Sequence, residues 1–441
     1  MIDKKIALKK HKESNGKIQV VGKVKILKRK DLSVYYTPGV AFVSEEIKKS
    51  KELAYEYTNK GNTIIILSDG TRILGLGNIG PEAGLPVMEG KALLFKKYGG
   101  VDAIPICIST TDEEEIISFA KHISPSIGGI NIEDIESPKS FRILERLEKE
   151  LDIPVFHDDQ YGTAIVCLGA LNNALKLAKK NKHAKIIIFG AGSAGYGITR
   201  LLCFAGFDNI YVFDSKGVIK RDRKDDMNEF KYNLAKMTNK ENNDFDVEEA
   251  IINADVLIGV SGQKGYFKKE WIPKMNKKPI IFALTNPNPE IEYNEAVNAG
   301  AFIVATGKSN APNQVNNIMA FPGVMRGLLE VRAKKVSMAM LYDAAMTITK
   351  TAQKELKVNK IISSATDEKA MNKLTLEIAG DIGVSAIKDK NARIKISKNE
   401  IKKRSEKRIN SYVKLEKYIW IMFLGFQVFA LYLANLLWVY M

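Results

Sequence analysis

The apolar positions of this chain fall into short runs separated by helical or turn-rich stretches. Thr63 to Leu67 (TIIIL) is one such run, closed by the turn pair Asp69-Gly70, and Ala103 to Ile108 (AIPICI) is another; both predict short buried strands. Asp112 to His122 and Pro138 to Leu151 read as helices, the second opening on Ser137-Pro138 as cap and first turn. The pattern is clearest from Ala184 to Gly307. KIIIFG, IYVFD, ADVLIGV, PIIFAL and AFIVATG are runs rich in Val, Ile and Phe, the rhythm of a parallel sheet with helices on both faces. After Lys308 the pattern returns to helix, notably Val331 to Leu356, which is expected to pack back on the first part of the chain. Met1 to about Leu32 is polar and expected to be loosely structured. The fold class is α/β.

Composition adds bounds. The chain has 441 residues, 45% of them hydrophobic and 27% charged, which predicts a globular protein of two or three domains. Cys107, Cys167 and Cys203 are far apart and form no zinc or disulfide pattern, and no apolar signal opens the chain, so a cytoplasmic body is expected. The net charge of +16 is concentrated at the ends: Lys388 to Lys417 carries twelve Lys/Arg against four acids, and Met1 to Lys30 eleven against two. Basic ends on a near-neutral body, without a nucleic-acid module, argue against a nucleic-acid partner. Tyr418 to Met441 holds no charged residue over twenty-four positions and has Trp420 and Trp438 near its ends. It reads as a membrane-spanning helix that would tether the body by its C-terminal tail. A buried helix at an oligomer interface and a non-native gene end are the competing readings.

Candidate chemistry begins with a glycine turn. Gly190-Ala191-Gly192-Ser193-Ala194-Gly195 follows the strand KIIIF and precedes a helical stretch, Tyr196 to Ala205. Gly190 allows the tight turn, Gly192 lets the backbone approach a pyrophosphate, and Gly195 lets helix and strand pack closely. The next strand ends at Asp214, near the spacing expected for an acid that grips the adenosine ribose. Ser261-Gly262, Asn286-Pro287 and Thr306-Gly307 each follow a strand of the same sheet, so their loops face the same crevice. Asn286 could bond a nicotinamide, a ribose or a hydroxy acid; alone, an Asn-Pro turn is the plainer reading.

Acids form the second constellation. Glu133-Asp134 lies in NIEDI and Asp158-Asp159 in VFHDDQYGTA. Either pair alone reads as a solvated surface pair. Asp158-Asp159, however, follows an apolar run and precedes a tight helix entry, so these acids are expected to be partly buried and to need a cation. Oxygen ligands without paired Cys or His point to Mg²⁺ or Mn²⁺ rather than zinc. Lys91, in a glycine-rich entry to an apolar helix, would have a lowered pKa and suit a base if desolvated, but a snorkelling surface lysine is the ordinary reading. Tyr36, in VYYTPGVA, is equally ambiguous in isolation.

Taken together these motifs resemble the malic enzyme family in its compact, mainly bacterial and archaeal form. The likeness runs from about Ala7 to about Lys388, through GKIQVVGKV, DLSVYYTPGVA, SDGTRILGLGNIGPEAGLPVMEGKALLFKKYGGVDAIPI, NIEDIESPKSFRI, VFHDDQYGTA, GAGSAGYGI, FALTNPNPEI and NQVNNIMAFPG, in matching order and spacing. The resemblance implies an N-terminal substrate and metal domain (1–160), a Rossmann-like NAD(P)-binding domain (161–330), a helical segment packing back (331–387) and, beyond it, a basic linker (388–417) and the tail (418–441). It implies a decarboxylating malate dehydrogenase that takes L-malate to pyruvate. Tyr36 would be the general acid, Lys91 the general base and Asp158 a supporting acid beside it. Glu133, Asp134 and Asp159 would bind the metal, and Arg72 would grip a malate carboxylate. Asn286 and Asn317 would lie near substrate and nicotinamide, and Gly190, Gly192, Ser193, Ala194, Gly195 and Asp214 would hold NAD, with NADP as the alternative. A homodimer or dimer-built oligomer is implied as well. Tyr161 departs from the family's usual His and is expected to tune the metal loop. Two rival readings are a malolactic-type decarboxylase that keeps its NAD and a non-catalytic dinucleotide sensor.

Overall fold

The computed structural model describes residues 3–414. Two parallel sheets organise them. The first holds β1 (Thr63–Ser68), β2 (Asp102–Cys107), β3 (Gly129–Ile132) and β4 (Val155–His157) in the order β2-β1-β3-β4. Residues of β1 are buried on both faces, and Ile64 stands between Ala103 of β2 and Gly129 of β3. The chain moves outward from β1 to β2 and then returns to the opposite side of β1. The loops leaving β1 and β3 therefore diverge, and a crevice opens beyond their carboxyl ends.

The second sheet holds β5 (Ile186–Phe189), β6 (Ile210–Asp214), β7 (Gly217–Val218), β8 (Val256–Gly259), β9 (Ile280–Ala283) and β10 (Ile303–Thr306), in the order β10-β9-β8-β5-β6-β7. All pairs are parallel except β6 with β7. The same reversal of direction occurs here between β5 and β8, the place where an open sheet of this kind takes a nucleotide. The doubly wound pattern expected from the apolar runs is therefore the observed one.

The helix Thr163–Ala178 links the sheets. It is apolar almost all round and buried along nearly its whole length, as such a sequence requires in water. The apolar core runs continuously from the first sheet through this helix to the near face of the second, while Phe189, Phe213, Leu257, Trp271 and Ile281 build a separate core on its far face. After Lys308 the chain is helical as expected, but within Val331 to Leu356 the α-helix begins only at Met338 and ends at Ala352. Phe321–Glu330 and Met338–Ala352 are separate helices. Arg332 takes a left-handed φ of 50°, and Ser337 caps the second helix by accepting from the Met340 amide. Phe321–Glu330 packs on the helix Pro81–Gly99 of the first half, with the Phe95 and Phe321 ring centroids 4.6 Å apart.

Two expectations need correction. The N-terminal arm is irregular only in part: Lys4–Ser14 and Arg29–Tyr35 are helices, residues 15–28 between them form neither helix nor strand, and a third helix, Gly39–Lys49, follows, none of the three having a buried residue. The basic segment after Lys388 is not a linker throughout, because residues 398–414 are helical. Ile401, Ser405 and Ile409 are buried on one side of that helix, and Lys402 and Arg408 pair with Glu377 and Glu330 of the body. This stripe at four-residue spacing, two isoleucines around a serine whose hydroxyl donates to the Ile401 carbonyl, is what docks it. The apolar tail and its membrane-spanning reading lie outside the described residues; among those described, no helix is long and apolar enough to cross a membrane.

Candidate active site

The crevice of the first sheet collects the predicted acids. Glu133 and Asp134 follow β3 directly, and Asp158 and Asp159 follow β4 in a tight π-helical turn, Asp158–Gly162. The Asp134 amide donates to Asp159 Oδ2 at 3.0 Å, and the Arg72 amide donates to the Asp134 carbonyl at 3.0 Å, so the loops after β1, β3 and β4 are tied together. Glu133, Asp134 and Asp159 each offer a carboxylate oxygen, all within 4.8 Å of one another.

Three carboxylates this close repel. Burial pushes all three carboxyls up, and the charges of Asp159 and Glu133 push Asp134 further, to about 9. Asp134 Oδ2 is buried without a hydrogen-bond donor. A lone pair left bare at a cluster of like charges is the environment a cation relieves. The all-oxygen donor set fits Mg²⁺ or Mn²⁺.

Lys91 projects from the helix Pro81–Gly99 into this cluster. Its Nζ lies 2.8 Å from Glu133 Oε1, contacts Asp158 Oδ2, and sits 4.3 Å from the centroid of the Phe321 ring. Lys91 is buried, as the desolvated reading required, but its pKa moves the other way from that reading. Burial pushes the ammonium down, yet Asp158 and Glu133 outweigh it and hold Lys91 well above the usual lysine value. Asp158 is raised to about 7 by burial, against the pull of Lys91, and also accepts from Asn317 Nδ2. Asn317 opens a short 3₁₀ turn just before the helix Phe321–Glu330.

Arg72 is exposed at the rim, and its guanidinium lies close to Gly262, where an added Cβ would stand 3.4 Å from Nη2. Asn286 fills the space that a side chain on Gly307 would need, and a Cβ on Gly75 would meet Pro287 Cδ at 3.2 Å. Loops from both sheets thus face one another across a single cleft.

On the second sheet, Gly192 caps the helix Ser193–Phe204 and Gly190 has a φ of 116°. A Cβ on Gly190 would stand 2.5 Å from the Val260 carbonyl oxygen, and one on Gly195 would overlap the carbonyl of Gly190. Residues 190–194 are partly exposed, so the free amides of the helix N-terminus, including those of Ser193 and Ala194, are open to an anion. Asp214 ends β6 beside this turn.

Tyr36 is the predicted residue that the chain does not bring to the group. It is 65% exposed on the N-terminal arm, and among the described residues no side-chain hydrogen bond or ion pair joins it to the cluster. Tyr161 points away from the carboxylates: its hydroxyl donates to Glu148 Oε1 at 3.0 Å on the wall of a cavity of about 360 Å³ that Arg200 and Tyr196 also line.

Several site residues escaped the sequence reading. Asn131 donates to Glu133 Oε2 at 2.8 Å. His157 is fully buried and held neutral, its pKa lowered to about 3 by burial and by Lys91. Glu290, also fully buried, accepts from the Ser261 amide at 3.0 Å and from the Thr285 amide and hydroxyl, so it fixes the loops after β8 and β9. Gly197 admits the Gln160 backbone against the cofactor helix. All of these lay inside motifs already singled out, Asn131 in NIEDI, His157 in VFHDDQYGTA, Gly197 in GAGSAGYGI, Glu290 in FALTNPNPEI and Phe321 in NQVNNIMAFPG, but nothing in the motifs told which partners each would meet.

Comparison with known proteins agrees with this architecture. The family described as "Malic enzyme, N-terminal domain" matches residues 15–148, and "Malic enzyme, NAD binding domain" matches residues 160–387. The bifunctional malic/malolactic enzyme of Bacillus subtilis is 45% identical over 406 residues, covering 91% of this chain and 97% of that one. The NAD-dependent malic enzyme of Geobacillus stearothermophilus is 46% identical, over 81% of this chain and 75% of its own. The crystal structure of malic enzyme from Pyrococcus horikoshii superposes with a TM-score of 0.89 at 44% identity, covering 94% of this chain and 98% of that one. With both halves matched in order and nearly the whole fold shared, the chain belongs to the malic enzyme family.

Proposed function

We propose that this chain catalyses the NAD(P)-dependent oxidative decarboxylation of L-malate to pyruvate and CO₂ in the cleft between its two sheets. The observation that carries the reading is Lys91, buried between Asp158 and Glu133 beside a three-carboxylate cluster and across from a dinucleotide-type glycine turn.

In this reading Lys91 must first shed its own proton, which loss of its Glu133 partner to a bound cation would favour, and as the free amine it takes the proton of the malate C2 hydroxyl while the C2 hydride leaves for the nicotinamide. Asp158, held by Lys91 and Asn317, positions the amine and receives charge from it. Arg72, exposed at the rim, binds a malate carboxylate. Glu133, Asp134 and Asp159 would hold Mg²⁺ or Mn²⁺, which when bound supplies positive charge beside the keto acid's carbonyl as CO₂ departs. The phosphates of the cofactor rest on the amides from Gly192 to Gly195, with Gly190 shaping the turn, and Asn286 faces the nicotinamide end. Phe321 and the neutral His157 keep the surroundings of Lys91 dry.

Tyr36 is assigned the proton donor to C3, supplied by a second copy of the chain. Two observations support a dimer built on the arm. Its helices bury nothing of their own, and Val20, Leu27, Val34, Tyr35 and Phe42 stand exposed on it. A second reading is favoured by one finding: the Bacillus subtilis relative is named a bifunctional malic/malolactic enzyme. On that reading the chain can also keep its nucleotide and release lactate. Incubation with L-malate, Mn²⁺ and each cofactor tests both: reduced nicotinamide with pyruvate supports the first, and lactate without net reduction the second.

A further inference from the structure

The sequence assigns Asp214 to the adenosine ribose, but the geometry around it points to a different role. A carboxylate has about four lone-pair sites. Those of Asp214 are all occupied. Oδ1 accepts from the Lys216 amide and from Arg223 Nη1, each at 2.9 Å. Oδ2 accepts from Arg223 Nη2 and lies 2.8 Å from Lys231 Nζ. A ribose hydroxyl would have to displace a charge-assisted bond to reach this acid, and such bonds are about twice as strong as neutral ones. Burial pushes the Asp214 carboxyl up, but these donors outweigh it and hold it below the usual value, so the acid stays ionised.

Arg223 spends one fork of its guanidinium on Asp214. The other edge, Nε with the second Nη2 hydrogen, is the planar two-donor pattern that fits a phosphate. Its Nε has no hydrogen-bond partner, although the side chain is only 9% exposed. The position is apt. Asp214 ends β6, and the Gly190 amide bonds the Phe213 carbonyl at 2.8 Å, so the pair sits one strand from the glycine turn, where a ribose lies in sheets of this kind.

We propose that Asp214 does not read the ribose but anchors Arg223 as the donor to a 2′-phosphate, so that the chain accepts NADP as well as NAD; Lys231, whose ammonium Asp226 also holds through its carboxylate and its carbonyl, braces the acid from the other side. The inference rests on the nucleotide site proposed above and names the residues that set its cofactor choice.

The test is calorimetric titration of the full chain, without malate or metal, with 2′,5′-ADP and with 5′-AMP. The wild-type protein binds 2′,5′-ADP at least as tightly as 5′-AMP. Arg223→Gln weakens 2′,5′-ADP by about tenfold or more while 5′-AMP changes little. Asp214→Asn, which loosens both cations, also weakens 2′,5′-ADP, whereas an acid that repels a 2′-phosphate predicts the opposite sign. Lys231→Gln and an ionic-strength series on the wild type serve if either variant fails to fold; added salt weakens 2′,5′-ADP more than 5′-AMP. Tighter 2′,5′-ADP binding by Asp214→Asn, equal losses for both ligands in Arg223→Gln, or equal salt sensitivity overturns the inference. If neither ligand binds the wild type, the nucleotide site falls with it; strong 5′-AMP binding beside weak 2′,5′-ADP overturns this inference alone.

Discussion

Lys91 owes its charge state to the two carboxylates that hold it. With Glu133 and Asp158 in contact, it keeps its proton; a cation that draws Glu133 to itself would remove one of those anchors and ease the proton off. Lys91→Ala is expected to reduce malate oxidation by about 10²–10⁴-fold, and a loss under tenfold in steady-state rates would remove it from the role of base. Asp159→Asn removes a ligand and a charge while relieving repulsion. It should lower Mn²⁺ affinity and activity together without lowering the melting temperature; normal Mn²⁺ binding by that variant would show the cluster is not the metal site. Glu148 gives a pH signature away from the cleft. Burial raises it from 4.5 to about 7. The folded state therefore holds the proton more tightly than the unfolded chain. That contribution to stability is full below 4.5, declines through the interval, and is lost above about 7. Glu148→Gln keeps an acceptor for Tyr161 and should raise the melting temperature at pH 8 but not at pH 4; an equal change at both would contradict the burial. Of these residues, the pattern alone favoured a surface lysine and surface acid pairs; only the family resemblance implied one site, and the fold brings Lys91 into contact with Glu133 and Asp158. The sequence reading misjudged the direction of the Lys91 shift, because the partners that decide it come from other strands.

At the scale of elements, the cofactor helix and the metal turn are in direct contact. A Cβ on Gly197 would overlap the Gln160 carbonyl, one residue beyond Asp159. Gly197→Val is expected to cost about 1–3 kcal/mol of stability and to disturb the turn that carries Asp158 and Asp159. Thermal melts together with Mn²⁺ titration check it; an unchanged melting temperature and Mn²⁺ affinity would mean the helix shifts freely. The ten strands of the two sheets were legible where they were long apolar runs, as in β1, β5, β8 and β9. The acids after β4 stood out because the apolar pair Val155-Phe156 leads, through His157, into Asp158-Asp159. The helix over residues 398–414 was not, although Ile401, Ser405 and Ile409 carry a helical stripe. Seven basic side chains in that stretch drew the reading to charge, when charge decides only which face meets solvent. The partners of Asp214 were hidden for a related reason: spacing located the acid, but Arg223 and Lys231 reach it from a loop and a helix whose positions only the fold fixes.

For the whole molecule, the proposed dimer turns on the arm and the cleft. Tyr36 lies on the arm, outside the cluster, and the arm's apolar residues are exposed in one copy. Co-expression of Tyr36→Phe with Lys91→Ala is expected to restore part of the activity that each lacks alone, since a mixed dimer has one cleft with both groups intact. No recovery, with mixed dimers demonstrated by mass, would place Tyr36 in its own chain's cleft or outside the reaction. The central claim is that both sheets serve one oxidative decarboxylation in their shared cleft. The most direct measurement follows reduced nicotinamide and pyruvate together in one reaction of purified protein, L-malate, Mn²⁺ and NAD. Equal amounts of the two, abolished by chelation of the metal, are the predicted result. Turnover that persists without metal, or lactate formed with no net reduction of the cofactor, would contradict it.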